Sequence, residues 1–169
     1  MIRLDALRVK WDIDECPDLS WLETKLSEDG KRIMSSMRYE QDELNQHPIR
    51  TKRYIKQDHE RLNSYGDNWV MMGCIAEAET SYPLNNNGDR RIERLTSGGL
   101  WGIESDSNDE HKTSIAWQEL DDLKAHLEKF NVALPEDWDD CMHDAITKMD
   151  NTETRRDSIL SPWVEIDWT

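Results

Sequence analysis

The sequence predicts an α+β fold: an antiparallel sheet of about four strands with two or three helices packed mainly on one face. Three observations carry this. Residues 2–14 alternate apolar and charged side chains at the period of a half-buried strand. Asn87-Gly88 lies between two strand-like runs, which is the commonest short hairpin signal. Residues 113–130 space their apolar side chains by three and four, as an amphipathic helix does. At 169 residues, a single domain over 1–169 with a real core is expected.

Taken in order, Leu7, Val9, Trp11 and Ile13 share the apolar face of the first strand, with Arg8, Lys10, Asp12 and Asp14 between them. Cys16-Pro17-Asp18 breaks it, and Asp18 to Leu22 reads as a short turn that pins Trp21 and Leu22 on the core. Residues 23–50 are polar, with Leu26, Ile33, Met34 and Met37 as their few apolar anchors. Arg50, Lys52, Arg53 and Lys56, beside Tyr54, form the one basic cluster. Cations interleaved with an aromatic suit phosphate contact and base stacking. Against that, Ile55, Asp58, Leu62 and Tyr65 follow helical spacing, and Asp58 and Glu60 dilute the charge, so a solvated helix face is expected.

From Asn68 a long strand runs through Thr80, with the small residues Cys74, Ala76 and Ala78 on one face and Glu77 and Glu79 on the other. Small residues admit a closely packed helix. Arg90 to Glu104 returns as its partner, giving a hairpin over about 68–105. Gly98-Gly99 marks a bulge or close approach in the returning strand, beyond which Trp101 and Ile103 share one face as core candidates. Ser105 to Glu110 is a loop into a helix from Thr113 or Ser114 to Phe130, with Ala116, Leu120, Leu123, Leu127 and Phe130 inside. Glu119, Asp121, Asp122 and Lys124 are expected outside. Pro135-Glu136-Asp137 opens a second helix that buries Trp138, Met142, Ala145 and Met149. Residues 150–161 read as a polar linker, and Pro162 to Trp168 alternates again as a further strand.

The formal charge is -15, from 36 acidic against 21 basic residues, and it is uneven. Residues 1–103 carry 18 acids and 15 bases, whereas residues 104–169 carry 18 acids and 6 bases, giving -3 and -12. Bulk charge therefore argues against bare nucleic acid or an anionic membrane and points to a basic partner. Eight tryptophans against one phenylalanine suit half-buried positions in a core or a binding surface. Cys16, Cys74 and Cys141 are widely spaced without a ligand pattern, and no segment reaches signal-peptide or membrane-span length, so a cytoplasmic location is expected.

Two constellations are candidates for chemistry. Glu77, Glu79, Glu104 and Asp106 would form a carboxylate cluster if the hairpin brings them together, and such a cluster holds a divalent cation in metal-dependent nucleases. Solvent-facing strand ends are the simpler expectation. Asp106-x-Asn108-x-Glu110 lacks the glycine and bidentate glutamate of a calcium loop, since His111 and Trp117 stand there. The histidines show no His-x-x-x-His pair, and triad, phosphate-loop and dinucleotide signatures are absent, so no cofactor is expected. The second constellation is the acidic second helix. Asp137, Asp140 and Asp144 fall on one stripe, flanked by Glu136 and Asp139, with Asp121 and Asp122 on the preceding helix. Like charges at this spacing cost about 0.2–0.5 kcal/mol per pair. Such a stripe imitates a phosphate backbone, or simply keeps the protein soluble.

The stretch Gly99-Leu100-Trp101-Gly102-Ile103-Glu104-Ser105-Asp106-Ser107, followed by a helix near Glu119-Leu120, resembles uncharacterised bacteriophage and mobile-element proteins, as does Pro17 to Leu22. The resemblance covers residues 16–22 and 69–130 and brings no catalytic residues with it. It implies a phage or mobile-element origin, in a bacterial cytoplasm. The expected function is thus a non-enzymatic inhibitor that binds a basic, nucleic-acid-binding host defence protein, of the anti-CRISPR or anti-restriction type, by DNA mimicry. The alternatives are a metal-dependent nuclease and a phage structural or assembly protein.

Overall fold

The computed structural model describes residues 1–85, 87–150, 158–160 and 162–168. In chain order the elements are β1 (Ile2–Ile13), a 3-10 turn (Ser20–Leu22), β2 (Lys25–Leu26), β3 (Ile33–Ser35), α1 (Gln41–Gln46), α2 (Pro48–Asn63) and β4 (Met71–Pro83). They continue with β5 (Arg90–Thr96), β6 (Leu100–Glu104), α3 (Asp109–Lys129), β7 (Val132–Ala133), α4 (Trp138–Asp150), β8 (Ser158–Leu160) and β9 (Val164–Glu165). The class is α+β. By its internal packing the chain divides into two compact units, Glu15–Val70 and the remainder.

The larger unit is a sheet with helices on one face. β4 pairs antiparallel with β1 from Arg3↔Ser81 to Ile13↔Met72. Its other edge takes β5 along Glu77 to Pro83 and β6 along Met71 to Cys74. The far edge of β1 takes β7, β9 and β8 in turn. Seven strands therefore fill four positions, because the two outer positions are interrupted. β7 pairs parallel to β1, since it follows a helix and not a hairpin turn.

The inner face carries Leu4, Leu7, Val9 and Trp11 of β1 against Cys74, Ala76 and Ala78 of β4. The three small residues let α3 approach, and Ala116, Leu120, Leu123 and Leu127 are fully buried there. Each such leucine contributes about 1.5–3 kcal/mol. From α4, Met142, Ala145, Ile146 and Met149 complete the layer, with Trp11 Nε1 donating to Met149 Sδ at 3.1 Å.

Several expectations shift. α3 begins at Asp109, because the Asn108 side chain accepts from the His111 N–H at 2.8 Å and Asp109 and Glu110 suit the positive end of the helix dipole. Phe130 is 55% exposed, since the helix has ended and Asn131 turns the chain with φ 54°. α4 begins at Trp138, after Pro135; the Asp137 carbonyl accepts from Asp140 and Cys141. The expected strand start at Trp69 moves to Met71.

Trp101 and Ile103 do not share a face. The β4–β6 register slips between Met72 and Cys74, and Gly102 absorbs the extra residue at φ 79°. One added residue inverts the alternation. Ile103 is buried, while Trp101 is 46% exposed and lies flat against Gly73, where a Cβ would run into its six-membered ring. Gly73→Ala should lift this ring and cost about 1–3 kcal/mol. Denaturant unfolding should also show G73A adding little to W101A, since the clash goes with the ring.

In the smaller unit α2 buries Thr51, Ile55 and Asp58. Asp58 accepts from Arg38 at 2.8 Å and from the Tyr39 hydroxyl at 2.7 Å. Burial first, then the Asp58 hydrogen bond and charge, push the Tyr39 pKa up to about 12. These bonds tie the otherwise unpatterned segment before α1 to α2. Trp69 closes the same unit: its Nε1 donates to the Arg61 carbonyl at 2.9 Å and its ring meets Tyr65 edge-on at 5.1 Å. No helix among the described residues is long and apolar enough to cross a membrane.

Candidate functional site

The hairpin carboxylates do not converge. Glu77 lies on the polar face of β4, where it accepts from Arg8 at 2.8 and 2.6 Å and pairs with Lys10 at 3.1 Å. Glu79, two residues on, is held by Arg94 at 2.9 and 2.8 Å. Glu104 pairs with Met71 at the other end of β4, six residues from Glu77 and so about 20 Å away, with Asp106 beyond it. Among the described residues no three His, Cys, Asp or Glu side chains are grouped to hold a metal ion. The cause is the register: the hairpin sets Glu77 and Glu79 opposite β5 and not opposite β6.

Glu77 joins a network that the sequence analysis missed. Burial alone would raise its pKa, but the hydrogen bonds of Arg8 and Lys10 and then their charges outweigh this and hold it below the ordinary value. Lys10 answers in kind: burial would lower it, yet Asp12 and Glu77 together leave it raised. The Trp163 ring covers Arg8 at 4.2 Å and also lies 5.6 Å from Arg94. Asp5, Asp12, Glu77, Glu79 and Glu93 thus each face a cation.

Glu119, expected outside, is 3% exposed. Its Oε2 accepts from the Ser97 hydroxyl at 2.5 Å and from the Gly99 N–H at 3.1 Å, while Ser97 Oγ accepts from the Ala76 N–H at 3.0 Å. The carboxylate clasps the Gly98-Gly99 bulge. Its signal was positional, for Glu119 stands three residues after Ala116 and four before Leu123, on the apolar stripe itself.

The acidic residues on the outer faces of α3 and α4 and in the turn before α4 behave differently. Glu136, Asp137, Asp139, Asp140, Asp144, Asp121 and Asp122 are all exposed, and none has an ion-pair partner among the described residues. Asp137, Asp140 and Asp144 do lie about one point. After burial, their charges in the order Asp137, Asp144, Asp140 raise the pKa of the Cys141 thiol, which they surround. Trp117 meets His143 edge-on at 4.8 Å, and Lys124 Nζ lies 5.9 Å from the Trp138 ring. These contacts run α3 and α4 antiparallel and bring Asp121 level with Asp140.

Neither buried thiol is poised as a nucleophile. Cys74, like Cys141, is pushed up, by burial first and then by the Glu119 charge. What the exposed carboxylates of the α3–α4 face can do is attract cationic groups. The chain matches no protein-family model, no curated protein and no solved structure.

Proposed function

We propose that this is a non-enzymatic binding protein whose α3–α4 face docks onto a basic, nucleic-acid-binding protein and blocks it. One observation carries the reading: Asp5, Asp12, Glu77, Glu79 and Glu93 of the sheet each face a local cation, while seven acids on α3, on α4 and in the turn before α4 stand exposed without an ion-pair partner among the described residues. Asp140 and Asp144 lie about 6 Å apart along the axis of α4, and Asp137 stands in the turn just before it. Regular negative charge of this kind competes for a groove that otherwise takes phosphates. The resemblance of Gly99 to Ser107 to phage and mobile-element proteins supports a host defence protein as the target.

The test begins with capture from bacterial lysate at low and high salt, followed by purified partner. A basic nucleic-acid-binding protein should be retained at low salt, be released as salt rises, and lose its own nucleic acid when this protein binds. D137N/D140N/D144N should weaken that binding about 10- to 100-fold, since each exposed pair contributes up to about 1 kcal/mol. Unchanged affinity of the triple variant would remove the acidic face from the mechanism.

A further inference from the structure

The basic cluster is not diluted as the sequence implies. Asp58 turns inward to Arg38 and Tyr39, so the outer surface of α2 keeps Arg50, Lys52, Arg53 and Lys56 with few acids. Lys56 meets Glu60 at 3.4 Å and Arg50 meets Glu43 only at 3.9 Å, while Lys52 and Arg53 make no ion pair among the described residues. Tyr54 is 37% exposed with the Arg53 guanidinium 5.3 Å from its ring, and Ile49 is 87% exposed at the start of the ridge.

The geometry points to α2 as a contact surface for nucleic acid, and we propose that it binds the phosphate backbone directly. Charge segregation makes this compatible with the total of -15. Residues 15–70 hold 11 acids and 9 bases, so nearly all of the excess acid belongs to the other unit. At physiological salt, charges beyond about 8 Å are largely screened, whereas cation–phosphate contacts are much closer. Four cations over about two helical turns release counterions from a polyanion, which an acidic peptide of low charge density does not offer to the same degree. The Arg53–Tyr54 pair adds a planar platform on which a base stacks in a single strand. This contact is independent of the α3–α4 face.

The experiment uses the full chain and fluorescently labelled single-stranded and duplex DNA of about twenty nucleotides, followed by anisotropy from about 50 to 200 mM salt. Saturable binding is expected, with log K falling against log salt at a slope between about -1.4 and about -3.6, for two to four phosphates. K52E/R53E should reduce affinity at least tenfold, and K129E, on the other unit, should not; thermal melting confirms that both variants fold. Absence of binding at the lowest salt, or equal losses in K52E/R53E and K129E, overturns the proposal. Binding of polyglutamate in preference to DNA also overturns it, and would assign the ridge to an acidic protein.

Discussion

Glu119→Ala should destabilise the larger unit by about 3–5 kcal/mol, the largest loss expected from any single exposed-type residue in the chain. The side chain is 3% exposed and satisfies two donors, the Ser97 hydroxyl and the Gly99 N–H. Truncation leaves both without this acceptor, the Ser97 hydroxyl in a buried site and the Gly99 N–H in a part-buried one, at about 1–3 kcal/mol each, and opens a small cavity beside Cys74. Glu119→Gln keeps an acceptor oxygen in the same place and should recover most of the loss. Chemical denaturation of the two variants measures the difference. Hydrogen exchange locates it: in E119A the Gly99 and Ala76 amides should exchange faster, because the Ser97 hydroxyl that accepts from Ala76 is itself held by Glu119. If E119A and E119Q lose the same amount, the clasp owes its effect to shape and not to its hydrogen bonds.

The same residue shows where the sequence was legible and where it was not. Strand alternation and helical spacing are local, and they located β1, the β4–β5 hairpin, α3 and α4 to within a few residues. The Gly98-Gly99 irregularity was legible as well, because positive φ has a compositional signature; Gly99 has φ 79°. Its acceptor was not, since Glu119 is twenty residues away and its type alone argues for solvent. Trp101 fails for a related reason. A second slip at Gly102 inverts the face of every residue before it, and period-two reasoning has no means of counting a bulge that carries no paired-glycine mark. The carboxylate cluster was a register question of the same kind.

The acidic stripe fared differently because helical geometry fixes its spacing without tertiary information. Asp140 and Asp144 of α4, with Asp137 in the turn before it, lie around Cys141, as their spacing requires. What a sequence lacks is the pairing state of each charge. Thirty-six acids look alike in composition, yet Asp5, Asp12, Glu77, Glu79 and Glu93 of the sheet are consumed by Arg3, Arg8, Lys10, Arg91 and Arg94, and the seven exposed acids on and just before α3 and α4 have no ion pair among the described residues. The basic cluster makes the converse point: its apparent diluent, Asp58, is turned into the interior. Function is therefore argued from residual charge after internal pairing, and not from net charge.

Residual pairing also sets the acid response. Glu77→Ala should cost about 3 kcal/mol at neutral pH, near the lower end of the range for breaking a buried pair, because Lys10 retains Asp12 and Arg8 retains the Trp163 ring. The carboxyl titrates below its ordinary 4.5 in the folded protein, with burial opposed and outweighed by Arg8 and Lys10. Its contribution is accordingly complete above pH 4.5 and is lost as pH falls through the lower folded value. Lys10 has the opposite sign: raised above its ordinary 10.5, it contributes fully below that pH and loses its share as pH rises through its folded pKa. Urea unfolding of the wild type and of Glu77→Gln should therefore differ most between these limits and converge only as pH falls below the depressed folded pKa of Glu77. A constant difference across the acid range would mean that Glu77 stabilises the sheet by packing alone, and that the Arg8–Glu77–Lys10 network carries no net charge energy.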